Sequence, residues 1–214
     1  MEEFTIDVQQ QIASSETPSE EFQTLPWTRQ RVVFFLFPES IQRKVLNDMD
    51  RQEVRQFVRR LDPDDATDVI GLLDNDTQRA VLSQLDSDRR ERIEFLLKFS
   101  PESAAGIMDL DYVTVGKDQG FEEVARLVRR HEDRTGRFPT VFVTDDDEVL
   151  GELPGHTLAL IGHRSADVTE YLRPTPTVRY ERPHADVIEV FRTNPRSKIV
   201  VLDEDDSILG VIYA

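Results

Sequence analysis

A twelve-residue period runs through the first half of the chain and limits what that half can become. Met49-Asp50, Leu61-Asp62, Leu73-Asp74 and Leu85-Asp86 recur at this interval. Within each unit an apolar pair returns at a fixed offset: Val45-Leu46, Phe57-Val58, Val69-Ile70 and Val81-Leu82. Phe57 and Leu61, like Val81 and Leu85, are four apart and therefore share one helical face. Aspartate suits a helix N-cap because its carboxylate accepts a hydrogen bond from a first-turn N–H. Asp62-Pro63 is the clearest instance, since proline at the first helical position gives up no hydrogen bond. Each unit thus reads as one short helix and a sharp corner. Helices that short are unstable alone in water, so they must stack, and the period predicts a helical superhelix over 27–99.

The flanking regions read differently. Residues 1–25 are polar, with too few large apolar groups to offset the cost of ordering, and are expected to form a mobile tail. Ser100-Pro101-Glu102-Ser103 breaks the helical pattern and begins a connector over 100–108. From 109 to 214, short β runs alternate with amphipathic helices, and the order repeats: Val115 and Val178 lie 63 residues apart, as do Val124 and Val187. Gly151 and Gly210 lie 59 apart, the difference falling around His131–Phe138. Two copies of one α/β unit, about 109–164 and 165–214, are the simplest reading. The expected class is α+β multidomain: an all-α superhelix followed by a tandem α/β pair.

Composition removes several functions. The 214 residues suffice for two ordinary domains. There is no cysteine, hence no disulfide, thiolate metal site or cysteine nucleophile. The four histidines show no metal-ligand spacing. A formal charge of −16 opposes nucleic acid or an anionic membrane as partner. Lysine is confined to Lys44, Lys98, Lys117 and Lys198, while acidic turns abound, a balance suited to a high-salt, halophilic cytoplasm. In such a chain an acidic patch serves solubility more often than it holds a metal. No stretch approaches the ~20 apolar residues of a membrane span, and the first residues lack the pattern of a signal peptide, so the cytoplasm is the expected location. Without a G-x-S-x-G, Walker-type or zinc motif, the chain is expected not to be an enzyme.

Local motifs then point to a family. Thr114-Val115, the run Val141-Phe142-Val143-Thr144-Asp145 leading to Leu150-Gly151, and its repetition as Lys198-Ile199-Val200-Val201-Leu202-Asp203 leading to Leu209-Gly210-Val211-Ile212 resemble a tandem pair of CBS domains. Leu61-Asp62-Pro63-Asp64-Asp65-Ala66-Thr67-Asp68 resembles the helical domain of MgtE-type magnesium transporters. Ser103-Ala104-Ala105-Gly106-Ile107-Met108, followed by Tyr112-Val113-Thr114-Val115, looks like that family's junction. The resemblance covers about 30–214. It implies a cytosolic homodimer, joined through its CBS domains, that binds Mg²⁺ between helical and CBS domains. Closing around the ion would gate a membrane domain carried on the same or a separate chain.

Asp64 and Asp68 are four apart on one helix, so their carboxylates share a face. Residue types alone favour a structural role, because acids near a helix start complement its dipole. The resemblance implies instead that Asp64, Asp68 and the carbonyl of Gly106 are Mg²⁺ ligands, with Asp65 the neighbour most easily confused with them. Other family ligands are replaced here, as at Asn194-Pro195-Arg196, so a complete site would draw on a continuing segment or another chain. The alternative function is a stand-alone CBS sensor of adenine nucleotides that controls a partner protein. The resemblance brings Gly151-Glu152-Leu153-Pro154-Gly155-His156-Thr157 to the nucleotide motif, with Thr157 where an aspartate would meet ribose and His156 where an arginine would meet phosphate. A mostly neutral histidine is the weaker phosphate partner. A pure interaction scaffold, a third reading, predicts neither ligand.

Overall fold

The computed structural model describes residues 2–157, 167–195 and 197–213. The chain divides into two compact units, Met1–Lys98 and Phe99–Ala214.

In the first unit the described elements are helices α1 (Glu2–Ala13), α2 (Pro18–Thr24), α3 (Trp27–Leu36), α4 (Glu39–Asp48), α5 (Arg51–Arg60), α6 (Pro63–Gly71), α7 (Asn75–Leu82) and α8 (Ser87–Leu96). The N-caps of α3 to α8 are Pro26, Pro38, Asp50, Asp62, Asp74 and Asp86, so the twelve-residue period extends over six helices. Proline has no side-chain acceptor, which hid the first two from a search for capping acids. Asp50 accepts bonds from the Gln52 and Glu53 amides at 2.7 and 2.8 Å and completes a capping box with Glu53. Asp74 and Asp86 also cap. Asp62, expected to be the clearest cap, makes no side-chain cap bond; its carboxylate lies 4.0 Å from the Arg31 guanidinium.

A second periodic tie fixes the corners. Gln30, Gln42 and Gln78, each four residues after an N-cap, donate from their side-chain amides to Phe22 O, Phe34 O and Ile70 O at 3.4, 3.1 and 3.4 Å. Each of these carbonyls lies in the last turn of the preceding helix and also accepts a backbone N–H from the residue that leaves it, Leu25, Phe37 or Leu73, so the glutamine is a second donor at the corner. The apolar pairs Val33-Phe34, Val45-Leu46, Phe57-Val58 and Val69-Ile70 are buried in one core. Helix packs on next-but-one helix: α1 on α3, α2 on α4, α5 on α7, α6 on α8.

Residues 1–25 correct an expectation. They contain α1 and α2, and Phe22 is fully buried, with ring centroids 5.6 Å from Phe57 and 6.0 Å from Phe34. Ile12 is buried beside them. The segment is polar on average, but its few apolar groups cover the open end of the stack, which a terminal repeat must do.

The second unit holds two three-stranded sheets of the same design, within the fold class expected. Strands β1 (Tyr112–Gly116) and β2 (Thr140–Asp145) are parallel, and β2 is antiparallel to β3 (Glu148–Leu153). In the second copy β4 (Thr177–Arg179) and β5 (Ile199–Leu202) are parallel, and β6 (Ile208–Ile212) is antiparallel to β5. Helix α9 (Phe121–Thr135) crosses over in the first copy and α10 (His184–Thr193) in the second. Each antiparallel pair carries a bulge, and each hairpin turn an aspartate at positive φ, Asp146 at 50° and Asp206 at 67°. Aspartate tolerates that conformation through local hydrogen bonding, so the acidic turns have a backbone reason for their composition.

The copies interlock. Asp109, ahead of β1, bridges to Val211 of β6, while Arg173, ahead of β4, bridges to Glu152 of β3. The glycines beside these crossings are required by close approach. A Cβ on Gly151 would sit 2.6 Å from Arg173 O, and one on Gly210 2.9 Å from Asp109 O and 2.7 Å from the Met108 side chain. Tyr112 donates to Ile208 O at 2.8 Å, and Phe142, Val200, Leu202 and Val211 form a buried core shared by both copies. Among the described residues no helix is long and apolar enough to cross a membrane.

Candidate functional site

The acids of α6 separate once their neighbours are known. The helix buries Ala66, Val69 and Ile70, which leaves Asp64 partly and Asp68 largely exposed. Asp65 bonds to the Arg31 guanidinium of α3 and is largely covered. Its charge is spent on a structural tie, so the neighbour most easily confused with the candidate ligands is set apart. Asp64 and Asp65 lie in the first turn, where the helix dipole favours an anion. Asp68 does not: it stands three residues before the last helical residue, Gly71, nearer the end that disfavours negative charge. Although Asp68 reaches the surface, protein crowding its carboxyl, and then the charges of Asp65 and Asp64, push its pKa up to about 6. A dipole role therefore accounts for Asp64 and fails for Asp68. Here an anion is held against its own preference.

Two carboxylates one turn apart suit Mg²⁺, which takes one or two and keeps several waters. Among the described residues no group of three or more His, Asp or Glu side chains is arranged to hold a metal.

Gly106 lies in the second unit, in the 3₁₀ turn Ala104–Ile107, whose Ser103 cap accepts the Gly106 amide at 3.3 Å. A Cβ here would fall 2.3 Å from Ser100 O and 2.7 Å from Pro101 backbone atoms. Local packing alone thus demands glycine. Its carbonyl is still what any residue at this position would offer a cation. The connector around it belongs to the second unit: Ala104 N and Ala105 N donate to Arg182 O and Tyr180 O at 2.7 and 3.0 Å.

A cavity of about 290 Å³ opens in the second unit, lined from both copies: Phe138, Pro139, Thr140, Val141, Glu152, Leu153 and Gly155 from the first, Lys198 and Tyr213 from the second. Lys198 Nζ lies 2.6 Å from Glu152 Oε1 and 5.8 Å from the Tyr213 ring centroid. The Tyr213 and Thr140 hydroxyls are 3.0 Å apart. Behind this wall, Arg137 reaches Asp111 at 2.8 Å and Asp109 at 3.4 Å, and buried His131 Nε2 lies 3.3 Å from Asp111. Of the two residues that sequence reasoning brought to the nucleotide motif, Thr157 is buried, donating its amide to Pro154 O at 2.9 Å, and His156 is exposed; Gly155, just before them, lines the cavity. Glu152 and Lys198 are 46 positions apart; the sequence placed Glu152 in the motif stretch and Lys198 at the head of the second CBS run, but gave neither a role in the site.

Comparison with known proteins fits this architecture. Residues 4–102 match the MgtE intracellular N domain and residues 104–154 the CBS domain. The solved cytosolic domain of the Mg²⁺ channel MgtE in complex with ATP is similar, with 22% identity, 92% of this chain and 82% of that chain covered, and a TM-score of 0.75. The soluble part of a magnesium transporter aligns over 99% of this chain and 93% of that chain, with 18% identity and a TM-score of 0.68. At these identities the likeness speaks for the fold. No curated protein matches the sequence.

Proposed function

We propose that this chain, in which residues 4–102 match the MgtE intracellular N domain and residues 104–154 a CBS domain, is an intracellular Mg²⁺-responsive regulatory module for ion transport. The observation that carries the reading is Asp68, a carboxylate whose pKa is pushed up to about 6 on the same helical face as Asp64 while Asp65 is tied to Arg31. A divalent cation relieves that crowding. Asp64 and Asp68 would hold Mg²⁺ on the helical unit, directly or through its waters, and the Gly106 carbonyl would contribute from the other unit. Such an ion would add positive charge to the acidic face of the helical unit, and its occupancy would bias a conformational equilibrium between open and closed arrangements. A homodimer formed through the CBS pair, coupled to a transporter membrane domain, is the assembly this reading expects.

A ligand that binds only the folded state raises its melting midpoint. The midpoint is therefore expected to rise with millimolar Mg²⁺ at constant ionic strength, and the rise to vanish when Asp64→Ala and Asp68→Ala are combined. An unchanged rise in the double variant overturns the assignment.

The cavity supports a second reading, binding of an adenine nucleotide by the CBS pair. Its support is the cavity's aromatic and charged lining and the likeness to an MgtE domain that was solved with ATP. Calorimetry separates the readings: adenosyl ligands binding with no Mg²⁺ present favour the second, and heat from Mg²⁺ alone the first.

A further inference from the structure

We infer that Glu152 is the specificity-determining residue of the cavity, holding Lys198 in an ion pair so that an uncharged nucleoside is accepted and its phosphorylated forms are disfavoured. The inference rests on the second reading above and concerns what that site selects. The cavity, about 290 Å³, is at the small end of the ~300–1,000 Å³ typical of ligand sites. Phe138, Pro139, Val141, Leu153 and Tyr213 give it apolar and aromatic walls, which suit a planar ring.

Charge decides the rest. Lys198 is the one cation among the described lining residues, and it is already engaged twice, by the Glu152 carboxylate at 2.6 Å and by the Tyr213 ring. The pair is mostly covered, with Lys198 29% and Glu152 18% exposed, so solvent screens it only in part. A phosphate seeking Lys198 would have to separate the pair and would then face the released carboxylate, and uncompensated charge in a covered site is strongly unfavourable. The net charge of −16 adds to the repulsion. An uncharged ligand leaves the pair intact. It also finds a carboxylate with spare acceptor capacity for an amino group or a ribose diol, while the linked Thr140 and Tyr213 hydroxyls offer further partners.

The test is calorimetry of the whole chain with adenosine, AMP and ATP, in chelator and at constant ionic strength. On the wild-type chain the expected order of affinity is adenosine, then AMP, then ATP; this ranking needs no variant. In Glu152→Gln, which keeps the shape and frees Lys198, AMP should gain on the order of tenfold over adenosine through a charge-assisted contact. Adding Lys198→Met to that variant should abolish the gain. Wild-type chain binding AMP or ATP as tightly as adenosine, an unchanged ratio in Glu152→Gln, or a gain surviving Lys198→Met would each overturn the inference. If none of the three ligands binds either protein, the nucleotide reading falls and takes the inference with it, while the Mg²⁺ reading stands.

Discussion

In the helical unit, several of the contacts that turn the corners join neighbours, as where Gln78 reaches Ile70 O, eight residues back, and Asp50 caps the helix it begins, and the farthest come from about thirty residues away, as from Arg43 to Leu72 O. In the α/β unit the corresponding ties join distant segments: Tyr112 to Ile208, Lys198 to Glu152, and the two crossed bridges ahead of β1 and β4. The first kind of unit gains stability one repeat at a time. The second has it only when both copies are present, because each copy's leading segment lies on the other's last strand. A surface helix in the first unit can therefore carry a crowded anion such as Asp68 at little cost to its neighbours. In the second unit a single added methyl at a crossing disturbs both copies.

This contrast can be broken at several points. The largest effect is expected for Phe22→Ala, which removes the ring packed against Phe34, Phe37 and Phe57 and should cost about 3–5 kcal/mol. Denaturant unfolding followed by Trp27, the chain's only tryptophan and a member of the helical unit, measures it; no loss would mean that α2 does not close the stack. Gly151→Ala should cost about 1–3 kcal/mol, because the Cβ meets Arg173 O at 2.6 Å where both copies cross. Circular dichroism during unfolding should show that loss. A neutral result would deny that the crossing is tight.

Smaller effects sharpen the picture within the helical unit. Asp50→Ala should cost about 1 kcal/mol, as loss of a cap does, and Asp62→Ala less, because Asp62 makes no cap bond. Equal losses would contradict the distinction. Asp68→Asn should have a small effect of opposite sign. The folded-state pKa of Asp68, about 6, lies above its ordinary value of 3.8, so between these limits the folded chain binds the extra proton. Its stability share then rises as pH falls through 6 and is complete below about 4, and at pH 7 the ionised carboxylate counts against the fold. The asparagine variant should melt slightly higher than wild type at pH 7, with the difference shrinking by pH 4. A difference constant with pH would remove the crowding argument.

The same contrast explains what could be read in advance. The superhelix was legible because its signal, apolar pairs and capping aspartates every twelve residues, lies wholly within local stretches. Its first two corners were not, because Pro26 and Pro38 hold the cap positions without an acceptor. The paired α/β units were visible in the spacing of Val115 and Val178 and of Gly151 and Gly210, but what the glycines accommodate was not, since Arg173 and Asp109 cross them from elsewhere in the chain. At the candidate metal centre, helical spacing put Asp64 and Asp68 on one face, and the family resemblance singled them out as ligands. What occupies the neighbouring Asp65 could not be read in advance, because it is Arg31, thirty-four residues away. The cavity escaped for the same reason, being assembled from both copies.

The central claim is that Mg²⁺ binds where Asp68 is crowded, and proton release measures this most directly. A carboxylate must be deprotonated to take a metal. Calorimetric titration of the chain with Mg²⁺ at pH 6, in two buffers of different ionisation enthalpy, should therefore show release of about half a proton per ion, given the pKa of about 6. Asp68→Asn should bind more weakly and release none. Mg²⁺ binding without proton release, or with the same release in Asp68→Asn, would contradict the account.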